Sequence, residues 1–146
     1  MSRVSGTGNE LDNVLTGNDG NNLLLGLEGD DVLDGGWGGD VLDGGAGGDT
    51  ILGGLGFDKI LGGVGDDLLQ GEDGNDTMSG GAGNDVFLIG SETAHGSLEM
   101  IDGGAGTGDI IRFTSTNTAD TLALATVTGV AIVQLATAAG VTTGTT

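Results

Sequence analysis

The sequence predicts an all-β solenoid of short stacked strands, and three observations carry that prediction. Between Gly8 and Leu88 the chain repeats nine times with a nine-residue period, GGxGxDxUx, where U is a large apolar residue. A fixed period of this kind decides the architecture before any local propensity does. Each repeat also divides into a turn half and a strand half, and the 146 residues contain no proline, which suits an uninterrupted stack of strands.

The turn half, GGxGxD, opens on glycine in every repeat from Gly8 to Gly80. Glycines tolerate positive φ and let backbone carbonyls converge on one point. Position six is Asn13 and Asn22, then Asp31, Asp40, Asp49, Asp58, Asp67, Asp76 and Asp85. The strand half, xUx, is a minimal three-residue strand whose middle side chain points one way. That side chain is Leu15, Leu24, Leu33, Leu42, Ile51, Ile60, Leu69, Met78 and Phe87 in turn. Two repeats form one coil of eighteen residues, so nine repeats make four and a half coils, stacked about 4.8 Å apart. The apolar side chains of the two strands then face each other across a thin core.

Such a core is too thin to order the chain by itself. Glycine-rich turns lose more conformational entropy than most sequences, and one large apolar residue in nine returns little of it. Stacking also brings the position-six carboxylates into rows of like charge. The composition sharpens this conflict, with 22 acids, 3 bases and a formal net charge of −19. Seventeen of those acids lie between Glu10 and Asp85, where Lys59 is the only base. Nucleic acid and anionic membranes are poor partners for such a chain. A bound metal resolves the conflict, because its ligation free energy is then folding free energy. Carboxylates and glycine carbonyls, with no cysteine and one histidine, select a hard cation. Flexible loops rich in oxygen favour calcium over magnesium, which demands a tight octahedron.

The repeat resembles the calcium-binding nonapeptide of the bacterial repeats-in-toxin (RTX) proteins, among them serralysin-type proteases, haemolysins, secreted lipases and alginate epimerases. The resemblance covers Gly8–Leu88 continuously. It implies a right-handed parallel β-roll, a form of parallel β-helix, with each calcium held between turns one coil apart. By that resemblance one turn supplies the carbonyls of positions two and four and its position-six carboxylate. The turn one coil later supplies the carbonyls of positions one and three and its own carboxylate. Five complete sites follow for this sequence. Leu27, Gly29 and Asp31 would meet Gly44, Ala46 and Asp49. Gly36, Gly38 and Asp40 would meet Gly53, Leu55 and Asp58. Gly45, Gly47 and Asp49 would meet Gly62, Val64 and Asp67. Gly54, Gly56 and Asp58 would meet Gly71, Asp73 and Asp76. Gly63, Gly65 and Asp67 would meet Gly80, Ala82 and Asp85.

The edges depart from this scheme. Asn13 and Asn22 bring no charge, and Leu11 stands where position four is glycine. Sites there are expected to be weak or empty, with the favoured reading a hydrogen-bonded cap of stacked asparagines. Turn two keeps Gly20 and can align Asn18, Gly20 and residue 22 against Gly35, Trp37 and Asp40, which turn one cannot do. At the far end IDGGAGTGD reads as a tenth turn with one residue inserted. Its Gly103, Ala105 and Asp109 are expected to complete a site with Glu72, Gly74 and Asp76.

The organisation read from the sequence is a leader over 1–7, the roll over 8–88, and an irregular tenth turn with a strand-rich cap over 89–146. In the last part, Thr121–Val127 and Val130–Leu135 alternate like strands and are expected to cover the open end of the roll. The terminal AAGVTTGTT reads as a cut through a longer protein. Residues 1–10 contain no apolar stretch, so no secretory signal peptide is expected there.

The sequence contains none of the catalytic motifs H-E-x-x-H, G-x-S-x-G and the Walker loop. His95 reads as a surface residue. Pairs such as Asp30–Asp31 and Asp66–Asp67 have position six assigned to metal and position five to solvent. Trp37 and Leu55 share position three of turns one coil apart, and Phe57 lies two residues on, so the three are expected to form a patch for a neighbouring domain. The resulting expectation is a secreted, calcium-dependent module without catalysis. The resemblance implies type I export and folding in extracellular calcium. The alternatives are an adhesive solenoid for ice or polysaccharide, or the tail of a secreted enzyme. Ice binding would want a ladder of Thr or Asn, and position five (Asp12, Asn21, Asp30, Gly39, Gly48, Phe57, Asp66, Asn75, Asn84) is no such ladder.

Overall fold

Among the described residues every strand pairs only in parallel, and odd and even strands never mix. In the computed structural model, which describes residues 3–90, 99–114 and 124–135, fourteen strands form two seven-stranded sheets. One sheet contains β1 (Ser5–Thr7), β3 (Leu23–Glu28), β5 (Val41–Ala46), β7 (Lys59–Val64), β9 (Thr77–Ala82), β11 (Glu99–Ala105) and β13 (Leu124–Thr128). The other contains β2 (Val14–Thr16), β4 (Val32–Trp37), β6 (Thr50–Gly56), β8 (Leu68–Gly74), β10 (Val86–Ile89), β12 (Ile110–Phe113) and β14 (Ile132–Leu135). Each turn carries the chain from one sheet to the other, which makes a right-handed parallel β-roll.

The register follows the repeat directly. Partners lie eighteen residues apart, as in Leu24↔Leu42, Leu33↔Ile51 and Ile60↔Met78. Position-eight side chains therefore stack in two facing columns. Leu24, Leu33, Leu42, Ile51, Ile60, Leu69, Met78 and Phe87 are buried, and Ile89, Ile101, Ile111 and Phe113 prolong the core. Leu15, on the outermost described coil, is only partly covered. Val14 beside it is exposed.

The strands are longer than the three residues expected of xUx. Most of those from β3 to β9 run for six residues, because positions one to three of the next repeat keep the ladder. Thus Asp43↔Leu61 is followed by Gly45↔Gly63 and Ala46↔Val64. The backbone of GGx is extended enough to pair, which the turn-like composition concealed.

Two further points concern the ends. The described part of the alternating segments near the C-terminus forms β13 and β14. β13 and β14 pair in parallel with β11 and β12, so they cover the stack by continuing it. The turn Gly103–Asp109 stacks on Gly80–Asp85 and not on Glu72–Asp76: Gly104↔Gly81 and Ala105↔Ala82 are in register, and the Asp85 N–H donates to Asp109 Oδ1 at 2.8 Å. β10 and β11 belong to different sheets, so one crossing precedes Gly103–Asp109, which is therefore the eleventh turn in chain order and not the tenth. His95 and the terminal AAGVTTGTT lie outside the described residues.

Candidate metal centre

Stacking at eighteen residues lines the position-six side chains in two rows, one along each edge of the roll. In one row the N–H of Asn13 donates to Asp31 Oδ1, Asp31 to Asp49, Asp49 to Asp67 and Asp67 to Asp85, at 2.7–3.0 Å. In the other, Asn22 donates to Asp40, Asp40 to Asp58 and Asp58 to Asp76, at 2.6–2.8 Å. Each carboxylate therefore has one oxygen held by the backbone of the preceding coil. The other oxygen, Oδ2, is buried without a hydrogen-bond partner at Asp31, Asp40, Asp49, Asp58, Asp67, Asp76, Asp85 and Asp109. A buried bare carboxylate oxygen is costly unless a cation faces it.

What surrounds Oδ2 is revealed by position one. A Cβ added at Gly26, Gly35, Gly44, Gly53 or Gly62 would fall within 3.0 Å of two oxygens at once. One is the Oδ2 of its own turn, from Asp31, Asp40, Asp49, Asp58 or Asp67. The other is the position-one carbonyl one coil on, from Gly44, Gly53, Gly62, Gly71 or Gly80. None of these five glycines has positive φ, so the requirement there is space for a cradle of oxygens and not backbone freedom.

Positions two and four are glycine for a different reason. Gly45 and Gly47 have φ of 108° and 133°, in the region L-residues avoid. Their conformation brings them against the carbonyl oxygens of Leu27 and Gly29 one coil before. The position-three carbonyls are also at hand, with Ala46 O, Leu55 O and Val64 O each accepting a position-four N–H at 2.8–2.9 Å. Each of these carbonyls has a second lone pair. Leu27 and Glu72 hold position two at φ of 90° and 71° despite their side chains.

The five donor sets read from the sequence are thus made of residues that stack on one another, with two carboxylates and four carbonyls in each. Among the described residues no three His, Cys, Asp or Glu side chains gather as a transition-metal site would require. A site of two carboxylates and backbone oxygens fits calcium chemistry. In it, Asp and carbonyl oxygens would hold the ion, and the ion would supply the positive charge the rows lack.

Sequence reasoning missed two features of these edges. Glu99 is buried at the position-six place of the Asp76 row, since the Met100 N–H donates to Asp76 O as the Thr77 N–H does to Asp58 O. The signal was present: Glu99 precedes Gly103 by four residues, as Asp76 precedes Gly80. Position five, assigned to solvent, is exposed but engaged. Asp12, Asn21, Asp30 and Asp66 accept through Oδ1 from the backbone N–H one coil on, at 2.7–3.1 Å.

Without a cation, burial raises the carboxyl groups of Asp58 and Asp67 to a pKa of about 7, and the neighbouring aspartates of each row push the same way. Burial likewise raises Asp76 to about 6, and Asp49 and Asp85 are raised as well. Backbone N–H donors oppose these shifts only in part.

A family model described as RTX calcium-binding nonapeptide repeat (4 copies) matches residues 7–42, 38–60 and 52–87. No curated protein sequence matches the chain.

Two predictions follow from this geometry. Raised carboxyl pKa values favour the folded state when protonated, a contribution complete below about pH 4 and lost as pH rises through 6–7. In chelator the β signal in circular dichroism should therefore be larger at pH 5.5 than at pH 8. With metal present the order reverses, and the calcium midpoint for folding should rise as pH falls from 8 to 6, because protons compete for the same oxygens. Separately, Gly44→Ala has an allowed φ but places a methyl in the cradle, and should destabilise the calcium-loaded fold by about 1–3 kcal/mol. Gly48→Ala, whose nearest neighbour would be 3.2 Å away, should change it by no more than about 0.5 kcal/mol. Urea titration in saturating calcium compares the two.

Proposed function

We propose, since the chain belongs to the family of RTX calcium-binding nonapeptide repeats, that this roll is the calcium-triggered folding module of a secreted protein and carries no catalysis of its own. RTX repeats bind calcium, and the β-roll they form is a structural calcium-binding module. The single observation that supports the finer reading is the double row of buried Oδ2 atoms without a donor. Such rows oppose folding where calcium is scarce and favour it where calcium is abundant. That is the behaviour wanted of a chain exported unfolded and assembled outside the cell, where dissociation constants of about 10⁻⁴–10⁻³ M suffice. RTX proteins are typically secreted, which agrees with this location.

On this reading the chain holds five complete calcium sites, at the donor sets beginning with Leu27, Gly36, Gly45, Gly54 and Gly63. The three inner aspartates, Asp49, Asp58 and Asp67, each serve two of them. The exposed patch adds a second element. Trp37 and Leu55 are register partners on β4 and β6, and both are exposed, as is Phe57 just beyond β6. We assign this patch to contact with another domain of a longer protein.

Circular dichroism tests the folding claim. In EDTA the chain should be largely disordered at pH 8, and about millimolar calcium should restore the β spectrum, with equal magnesium substituting poorly. An unchanged β spectrum after verified metal removal would overturn it. Site sharing is tested by substitution: Asp58→Ala should raise the calcium midpoint more than Asp31→Ala. Equal shifts would mean that the carboxylates are not shared between sites.

A further inference from the structure

Turn two contains the one position-six side chain that places a hydrogen-bond donor where the aspartates place a bare oxygen. The Nδ2 of Asn22 donates to Asn18 O at 3.1 Å, Gly35 O at 3.2 Å and Asp40 Oδ1 at 3.0 Å, and it also donates to Gly20 O. In repeat numbering these acceptors are the carbonyls of positions two and four of its own turn, and the position-one carbonyl and position-six carboxylate one coil on. They coincide with four of the six oxygens assigned to calcium in the later turns. Asn22 itself is buried. With its amide reversed, Oδ1 would face the same four oxygens, which is the physical ground for assigning Nδ2 to this side; Oδ1 is then buried without a hydrogen-bond partner.

The backbone of turn two is adapted to this arrangement. Neither Asn18 nor Gly20 has positive φ, although positions two and four do so from turn three through turn nine. Instead the Asn18 Oδ1 accepts from the Gly20 N–H at 2.9 Å and closes the turn locally. Asn13 behaves otherwise. Its Oδ1 accepts from the Asn9 N–H at 2.7 Å and its Nδ2 turns to Asn9 Oδ1, so it caps its own turn and reaches no inter-coil carbonyl.

We propose that the Asn22 amide takes the place of a calcium ion between turns two and four. Its partial positive charge faces the oxygens that a cation faces elsewhere, and this outer position is held by the chain alone and binds no metal. The roll would then have one end closed by a permanent, uncharged plug from which the calcium-filled coils continue. This inference rests on the calcium reading of the later turns.

The test uses the whole chain and three proteins: wild type, Asn22→Asp and Asn22→Ser. Calcium is counted by titration calorimetry, and the Asn22 side-chain amide is followed by NMR hydrogen exchange in saturating calcium. Asn22→Asp should bind one more calcium than wild type. Asn22→Ser should bind the same number, with its folding midpoint raised about three- to tenfold by loss of the buried amide hydrogen bonds. The wild-type amide protons should be protected from exchange. Equal counts for wild type and Asn22→Asp would overturn the plug, as would unprotected amide protons. A wild type that binds no calcium at all overturns the calcium reading itself, a separate and recognisable result.

Discussion

The whole structure depends on rows of buried carboxylates stacked one coil apart. The parallel β-roll leaves no freedom here, since the register of eighteen that aligns Leu24 with Leu42 also aligns Asp31 with Asp49. One oxygen of each carboxylate accepts a backbone N–H, and the other is buried beside a position-one carbonyl oxygen without a hydrogen-bond partner. Electrostatic repulsion accumulates along each row, while the core it must be weighed against is a double column of single side chains. RTX repeats bind calcium, and a divalent cation is the charge that such rows lack.

Glycine acts in three distinct ways in this setting. At position one it leaves room for a cradle of oxygens, at an ordinary φ. At positions two and four it adopts a left-handed backbone that aims carbonyls between coils. At position five it is merely tolerated, as Gly39 and Gly48 alternate with Asp12, Asn21, Asp30 and Asp66, whose side chains stitch the next coil. The strain at Leu27 and Glu72 shows that the position-two conformation is imposed by the stack even where the residue disfavours it.

The ends of the roll follow a different logic from its middle. Carboxylates repeat where coils stack on both sides. At the outermost turns asparagine replaces aspartate, and the side-chain amide supplies donors from within the chain. Towards the C-terminus the nine-residue rhythm is lost, yet β11 to β14 keep the parallel register at longer spacings. The stack tolerates long excursions because only the strands must pair, and a turn of any length can join them.

By itself the sequence determined the coil, the core and the donor types. A nine-residue period with one apolar position can bury that position only by stacking, and so Leu24 to Phe87 were legible as a core and Asp31 to Asp85 as carboxylates stacked in two rows. It did not reveal that GGx pairs as strand, because composition reports glycine's freedom and not the ladder that constrains it. Nor did it reveal that Gly103–Asp109 stacks on Gly80–Asp85, because counting turns fails once the period breaks and only pairing decides which coil lies beneath. The roles of Glu99 and Asn22 were decided by tertiary structure for the same reason. A residue's identity states what it can donate or accept, and the neighbours one coil away state which of these it does.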